Sequence, residues 1–510
     1  MGIRFKQSIK NIIWDIIYNC ESIIFNFIIK AVIIQKFGAE YLGLSSLYIS
    51  ILGTLNIAEL GFDTVLLYML YKPFAEKDIK TVNAILYLYK KICHIIGGII
   101  LFLGIVVSVF LPKLINEHFS NNLNIYIIYY FYLIQSVISY FISSYRKMLF
   151  KVSQQLDIQN KITACAFFFM YVLQLVGLIV FHDYYFYAIT LPLTSIGINC
   201  AHLIVSKRLY ASYKPEGMLS KDLYDHVFQK LGPIVLSKVR NISRLYIDTV
   251  FLSVFFGLVI TAQYNIYITL RSTLIVFIYL FIANTKESMG NFFSTEKKEI
   301  QYSVFFTYSF VIVWLSAWAA ICFLCLVNDV VILWVGEKML LNFSAVLAFT
   351  FFIYVQIFSS ILESVKDITG TYWENRYSPL LEMSANIVLN FVLIQLFGVT
   401  GIVVATVLCI TCITILSDMH IIFKYYFIQN PKEYILFFLL FSILTILTGC
   451  FTFYLCRFTR LLSPFFGLVI KLCICIVIPN IIFLTIYWRT KTFKEVVKIL
   501  QSLKSKRKSV

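Results

Sequence analysis

Segment 238–248, KVRNISRLYID, places several charged residues inside a long apolar stretch. Arg240, Arg244 and Asp248 are four residues apart, so they share one face of a helix. A guanidinium that faces lipid at mid-bilayer costs roughly 2.5–3.5 kcal/mol even on the mildest scale. We therefore expect this face to contact protein or water. Its chemistry is anion binding, because a guanidinium offers paired donors to phosphate or carboxylate oxygens.

Two further basic residues extend this set. Arg271, like Arg240, has no acidic residue three or four positions away on its own helix. A buried guanidinium needs an anion, so both are predicted to bind one. Lys238 lies about 200° around the helix from Arg240, nearer the cytoplasmic end, where a lysine reaches the interface. For Arg244 and Asp248 the alternative is a buried ion pair within the helix that only locks packing.

Polar residues also recur at helical spacing on other apolar segments. The first apolar run carries a stripe of five polar residues, the second run adds two acids, and the eleventh carries Glu382, Asn386 and Asn390. Stripes on helices from both halves predict a polar cavity between two bundles. For the acids the alternative is a structural ion pair. The candidate cavity or ion-coupling residues are Asp15, Asn19, Asn26, Lys30, Glu59, Asp63, Asp248 and Glu382.

The composition defines the class of protein. Of 510 residues, 60% are hydrophobic and only 14% are charged, whereas soluble domains carry about a quarter charged residues. The apolar runs are roughly twenty residues long, the length that a helix needs to cross a bilayer. They do not alternate as barrel strands do. The fold class is therefore an all-α polytopic membrane protein whose first helix, lacking a cleavage-site pattern, is retained.

Fourteen membrane spans are predicted, with very tight turns at Gly38, Gly257 and Gly398. Most of the 43 Lys and Arg residues lie in segments on the side of the N-terminus, which places both termini in the cytoplasm. This bias explains the net charge of +17 without nucleic acid. The predicted spans are 11–34, 41–70, 92–112, 123–142, 163–181, 185–206, 233–256, 258–285, 303–327, 340–362, 378–397, 399–423, 434–456 and 464–488.

A weak internal repeat suggests how these spans are organised. The stretches FGAEYLGLSSLY and FGLVITAQYNIY both begin with Phe-Gly and end with Tyr, and they lie six predicted helices apart. Because six is even, the two halves are parallel repeats. The predicted domains are an N-lobe (1–206), a cytoplasmic linker (207–232), a C-lobe (233–423), two additional helices (424–488) and a basic cytoplasmic tail (489–510).

Motifs of enzymes and metal sites are missing from the sequence. We find no G-x-x-x-x-G-K-[ST] and no G-x-S-x-G, and no loop is long enough for a catalytic domain. The C-x-x-C pairs Cys322/Cys325 and Cys409/Cys412 lie in apolar runs, which predicts packing rather than metal binding. The sequence therefore predicts a protein that is not an enzyme and has no cofactor.

Two stretches resemble bacterial polysaccharide flippases. Residues 37–78, FGAEYLGLSSLYISILGTLNIAELGFDTVLLYMLYKPFAEKD, are similar to the start of this family, including the Glu59-Leu60-Gly61 step. A second similar stretch is DITGTYWENRYSPLLEMSANIVLNFVLIQLFGVTGIVVAT, residues 367–406. One departure is Phe62-Asp63, where relatives often have small or hydroxyl residues. Asp63 is therefore a counter-ion to the basic cluster or a cation-coupling site.

The resemblance implies a MATE-like fold with two six-helix lobes and alternating access. It implies a flippase in the bacterial inner membrane that moves undecaprenyl-diphosphate-linked oligosaccharide for O-antigen, capsule or exopolysaccharide synthesis. Membrane lipids, a polysaccharide polymerase and glycosyltransferases are the implied partners, with coupling to protons, sodium or the membrane potential. The additional helix pair would guide the lipid tail. The implied diphosphate-binding residues are Arg240, Arg244, Arg271 and Lys238, and those for sugar are Asn19, Asn26, Tyr246 and Tyr264.

The alternative is a multidrug efflux transporter of the same fold. It would bind organic cations and use Glu59 and Asp63 as ligands and ion-coupling groups. The sign of the charge in the cavity separates the two hypotheses, because a positive site favours an anionic lipid and a negative site favours cations.

Overall fold

Regular structure is entirely helical in the described part of the chain. The computed structural model describes residues 2–56, 62–115, 123–221, 223–224, 235–236, 240, 243–371, 373–461 and 464–498. Long runs of Ile, Leu, Phe and Val favour helices here because a helix satisfies its own backbone hydrogen bonds within an apolar environment. The all-α prediction is confirmed.

Several α-helices of the described residues begin before residue 263. A π-helical segment, Gly177–Phe181, directly follows the helix Leu156–Val176, and another, Ser243–Ile247, directly precedes the helix Asp248–Thr295. The helices are α1 (Gly2–Lys36), α2 (Ala39–Leu55), α3 (Phe62–Ala75), α4 (Ile79–Ser108), α5 (Leu111–Leu114), α6 (Ile125–Ile142), α7 (Ser144–Val152), α8 (Leu156–Val176), α9 (Tyr184–Leu209) and α10 (Asp248–Thr295).

Further helices follow in the described residues. Two π-helical segments, Ile410–Ile415 and Ile422–Phe427, flank α15, and short 3₁₀ turns occur at Glu337–Met339 and Phe458–Leu461. The helices are α11 (Lys298–Val335), α12 (Phe343–Thr369), α13 (Ser378–Phe397), α14 (Val399–Cys409), α15 (Leu416–Ile421), α16 (Lys432–Arg457) and α17 (Pro464–Tyr487).

Twelve helical segments within the described residues are long and apolar enough to cross a membrane. The chain is therefore a multi-pass membrane protein. One of the twelve, Arg244–Thr295, has 52 residues. A straight helix of this length would extend about 78 Å, more than twice the roughly 30 Å of hydrocarbon in a bilayer. The count of fourteen spans and the orientation of the termini stay predictions.

The three predicted glycine turns are confirmed. Gly38, Gly257 and Gly398 have φ angles of 108°, 81° and 59°, in the region that only glycine adopts at low cost. Gly257 interrupts the helical backbone inside Arg244–Thr295. This break divides that segment between the predicted spans 233–256 and 258–285.

Two predicted span boundaries were wrong. The predicted span 41–70 is not one helix in the described residues, because α2 ends at Leu55 and α3 begins at Phe62. The predicted span 92–112 begins thirteen residues earlier, at Ile79. Asp78 caps this helix by accepting hydrogen bonds from the hydroxyl and backbone N–H of Thr81, and these bonds lower the pKa of the carboxyl.

The chain divides into two compact units, Met1–Ala262 and Gln263–Val510. In the first unit, α1 packs on α8 through stacked rings such as Phe25 and Tyr171, whose centroids lie 4.9 Å apart. In the second unit, α12, α16 and α17 pack around α11. Phe305 of α11 stacks on Tyr434 of α16 at 5.0 Å. The predicted boundaries at residues 206, 232 and 423 stay a prediction.

Candidate functional site

The charged face of segment 238–248 is buried in the first unit. Arg240, Arg244 and Asp248 are 4%, 8% and 1% exposed. These three groups are therefore shielded by protein, and the energetic argument against lipid contact holds. Lys238 lies outside the described residues.

Close packing of α2 positions this charged face. A Cβ atom on Gly43 would lie 2.0 Å from the carbonyl oxygen of Leu258, and one on Gly53 would lie 2.6 Å from the ring of Tyr246. Only glycine allows helices to approach so closely. Arg244 lies in the π-helical segment Ser243–Ile247, and such segments are frequent at functional sites. Both glycine contacts therefore lie on the C-terminal side of Arg244, at Tyr246 and at Leu258.

Arg271 belongs to the second unit. Its side chain is 3% exposed, and the guanidinium carbon lies 3.9 Å from the ring centroid of Phe352 on α12. A guanidinium over a ring face gains electrostatic attraction from the ring quadrupole. The stacking fixes the plane of the guanidinium but does not neutralise its positive charge. Phe352 was not identified from the sequence, since it lies 81 residues further along the chain.

The candidate polar residues of α1 and α3 have less uniform environments. Asp63 is half-buried, and one carboxylate oxygen lies 3.9 Å from Nζ of Lys151. Both side chains are partly exposed, so this pair contributes little to stability. Glu59 lies outside the described residues. On α1, Asp15, Asn19 and Lys30 are half-buried and Asn26 is exposed.

The candidate sugar contacts also differ in accessibility. The side-chain amide of Asn19 donates to the carbonyl oxygen of Asp15 at 2.8 Å. Tyr264 is 2% exposed and packs against Phe349, with centroids 5.4 Å apart. Tyr246 is half-buried against Gly53. In this conformation Asn26 is the most accessible of the four.

Glu382 and the asparagines of its stripe on α13 make buried hydrogen bonds in the second unit. Its carboxylate accepts a hydrogen bond from the hydroxyl of Thr414. The amide of Asn386 donates to the hydroxyl of Thr406 at 3.1 Å, and Asn390 donates to Asn386 at 3.3 Å. All five residues are at most 2% exposed. The stripe on α13 was visible in the sequence, whereas its threonine partners were not.

Sequence reasoning missed ion pairs that join distant positions of the apolar helices. Nζ of Lys366 lies 2.5 Å from the carboxylate of Asp418, which also accepts from the amide of Asn375. Nζ of Lys471 lies 2.6 Å from the carboxylate of Asp329. The pairs join residues 52 and 142 positions apart, so no spacing rule connects them.

Basic groups outnumber acidic groups among the buried residues of the described chain. Five buried residues are Arg or Lys and three are Asp or Glu. Lys366 and Asp418 neutralise each other, so the remaining buried charge is positive. The basic residues are Arg146, Arg240, Arg244, Arg271 and Lys366, and the acidic residues are Asp248, Glu382 and Asp418.

Comparison with known proteins reveals similarity in structure only. No protein-family model and no curated protein matches the sequence. One similar structure is the lipid II flippase MurJ in an inward closed conformation, with a TM-score of 0.61 and 13% identity over 93% of this chain and 99% of that chain. Another is an inward-facing multidrug resistance MATE family transporter of the MOP superfamily, with a TM-score of 0.62 and 11% identity over 79% and 94%.

A third structure extends the comparison to an archaeal protein. It is a MOP superfamily transporter from Pyrococcus furiosus, described as having a binding pocket of reverse polarity that suggests a different function. Its TM-score is 0.52, with 10% identity over 82% of this chain and 96% of that chain. At these identities the comparisons show the MATE-like transporter fold. The resemblance to polysaccharide flippases stays a prediction.

Proposed function

We propose that the protein is a flippase that moves undecaprenyl-diphosphate-linked oligosaccharide across the bacterial inner membrane by alternating access. The product would serve synthesis of cell-surface polysaccharide. The observation that carries this proposal is the burial of Arg240, Arg244 and Arg271, which are at most 8% exposed within apolar helical segments. A scaffold with no anionic substrate would gain little from three such groups, given their desolvation cost.

The chemistry of the substrate fits these residues. A diphosphate cannot cross about 30 Å of hydrocarbon without groups that replace its hydration. Guanidinium groups form charge-assisted, bidentate hydrogen bonds with phosphate oxygens. The polyprenyl tail needs no polar path, since it is as apolar as the membrane. The fold supports this proposal, because it is shared with a protein described as a lipid II flippase.

The alternative is a multidrug or cation efflux transporter. The fold does not separate the two, since a multidrug resistance transporter gives a similar TM-score. The buried carboxylate of Glu382 is the observation that favours cation transport or coupling. The excess of buried basic groups favours the anionic lipid, and we place the flippase first on that basis.

The test is ligand-dependent stabilisation of the purified full-length protein in detergent. An undecaprenyl-diphosphate oligosaccharide at about 100 times its dissociation constant should stabilise the folded state by about 2.7 kcal/mol, because it binds only that state. The apparent unfolding temperature should rise accordingly. In Arg240→Ala/Arg244→Ala the rise should disappear. Tetraphenylphosphonium serves as the organic cation for comparison.

Two further variants make this measurement specific. Arg208→Ala removes an exposed arginine at the end of α9 and should leave the lipid-induced rise unchanged. Arg240→Lys/Arg244→Lys keeps the charge without the paired donors and should retain only part of the rise. Stabilisation by tetraphenylphosphonium alone, unaffected by the arginine substitutions, would overturn the proposal in favour of cation efflux.

A further inference from the structure

Three cysteines from three different helices meet in the second unit. Cys325 lies on α11, Cys456 on α16 and Cys475 on α17, and they are 6%, 3% and 0% exposed. Their sulfur atoms all lie within 4.8 Å of one another. No two of these residues form a C-x-x-C motif, so the sequence did not reveal the group. We call it the trithiol cluster.

The helices around the trithiol cluster are closely joined. On one side, the indole N–H of Trp318 donates to the carbonyl oxygen of Cys475 at 3.0 Å, and that of Trp314 donates to Asn480 at 2.8 Å. On the other side lies the ion pair between Asp329 and Lys471. These contacts run along α11 and α17 in opposite directions. They fix the position of Cys475 along α17, next to Cys325 on α11.

Helix α16 packs along the same part of α11. A Cβ atom on Gly449 would meet the side chain of Ile321 at 3.6 Å, an ordinary van der Waals contact. Cys456 lies seven residues after Gly449 on α16, and Cys325 lies four residues after Ile321 on α11. The two cysteines meet at this point. The trithiol cluster therefore stands on three mutually packed helices rather than on a loop, as a precise binding site requires.

We propose that the trithiol cluster binds one divalent thiophilic metal ion of the zinc class. Zinc–sulfur bonds are about 2.3 Å long, so three thiolates around one ion lie about 3.8–4.0 Å apart. Sulfur atoms already within 4.8 Å need to approach by no more than about 1 Å. Small side-chain rotations would supply this movement.

The charge balance favours a divalent ion over a monovalent one. Binding converts three thiols into three thiolates and releases three protons to solvent. The complex then has a net charge of −1 with a divalent ion and −2 with Cu(I). The apolar surroundings penalise the larger charge. Lys471 lies one helical turn from Cys475, and Asp329 lies one turn from Cys325, so this pair adds no net charge.

A bound metal ion would link the last two helices to α11. Helices α16 and α17 form the additional pair predicted from the sequence, and each supplies one sulfur ligand. Because the ion binds the folded arrangement of three helices, its binding energy becomes stability of that arrangement. The inference is independent of the transported substrate.

Cadmium titration of the reduced full-length protein in detergent tests the proposal. Cd²⁺ replaces zinc at thiolate sites and gives an ultraviolet charge-transfer band. We expect saturation of this band at one tightly bound Cd²⁺ per chain, with release of three protons and competition by Zn²⁺. Cys475→Ser and Cys456→Ser should each abolish tight binding. Cys473→Ser changes an exposed cysteine two residues from Cys475 and should leave it intact.

A second measurement tests the proposal on the wild-type protein. It therefore does not depend on whether the variants fold. Zn²⁺ should protect Cys325, Cys456 and Cys475 from alkylation by maleimide under partly denaturing conditions, as identified by mass spectrometry. Three neutral thiols that only pack together would bind no Cd²⁺ tightly and gain no protection from Zn²⁺. Either result, or tight binding that survives Cys475→Ser, would overturn the proposal.

Discussion

Buried charges in this protein fall into two kinds at the scale of the residue. Lys366 and Asp418 form a direct pair supported by Asn375, and the pair is 5% and 0% exposed. Arg240 and Arg244 are equally buried but share their helical face with a single acid, Asp248. The first kind is neutral in sum and structural. The second places two guanidinium groups and one carboxylate on the same helical face.

Breaking the buried pair should destabilise the protein strongly. Lys366→Met leaves the carboxylate of Asp418 buried without its ammonium partner, and removal of one partner of a buried pair costs about 3–5 kcal/mol. The double variant Lys366→Met/Asp418→Asn removes both charges and should recover most of the loss. Thermal unfolding in detergent, followed by tryptophan fluorescence, measures both effects.

A neighbouring ion pair supplies the control. Lys286 and Asp367 are also paired, but their side chains are 37% and 31% exposed. Because solvent screens such a pair, its contribution to stability is small. Lys286→Ala should therefore change the free energy of unfolding by at most about 1 kcal/mol. Equal losses for Lys366→Met and for the double variant would show that the buried pair contributes no specific attraction.

At the scale of the helix, glycine contacts bring α2 close to the segment that carries Arg244. Gly43 of α2 meets the backbone of Leu258, immediately after the turn at Gly257. The repeat noted in the sequence includes both of these positions. Gly53, which has no side chain, leaves room for the ring of Tyr246, two residues from Arg244. Helix packing and the orientation of the charged face are therefore coupled through α2.

Gly43→Ala should destabilise this arrangement. The added Cβ would lie 2.0 Å from a backbone oxygen, and backbone shifts of this kind cost about 1–3 kcal/mol. Gly98→Ala is the matched control, since a Cβ there meets nothing within 4 Å. It should stabilise α4 by about 0.5–1 kcal/mol. Similar unfolding temperatures for the two variants would contradict the close approach of α2.

Much of this helical architecture could be predicted from the residues. Apolar length located most of the spans, and Gly38, Gly257 and Gly398 marked the turns. The span 92–112 was placed too late because Lys90 and Lys91 interrupt the apolar run, although a helix tolerates them. Contacts between distant segments escaped prediction, as with Lys366 and Asp418 or the trithiol cluster, because no local pattern encodes them.

At the scale of the whole molecule, the chain has the fold of MATE-like transporters without close sequence similarity to them. Solved structures of this fold match at 10–13% identity. Such a fold needs only apolar helices of sufficient length, small residues at contacts and turns in the right places. Many sequences meet these requirements, so the fold alone does not identify the substrate.

Movement of a lipid diphosphate by the reconstituted protein tests the central claim most directly. We expect proteoliposomes to translocate a fluorescent undecaprenyl-diphosphate oligosaccharide. In Arg240→Ala/Arg244→Ala the rate should fall at least about tenfold, because each charge-assisted hydrogen bond contributes about 1.5–3 kcal/mol. Arg208→Ala should retain the full rate. Uptake of tetraphenylphosphonium with no movement of the lipid, at a rate indifferent to Arg240 and Arg244, would contradict the account.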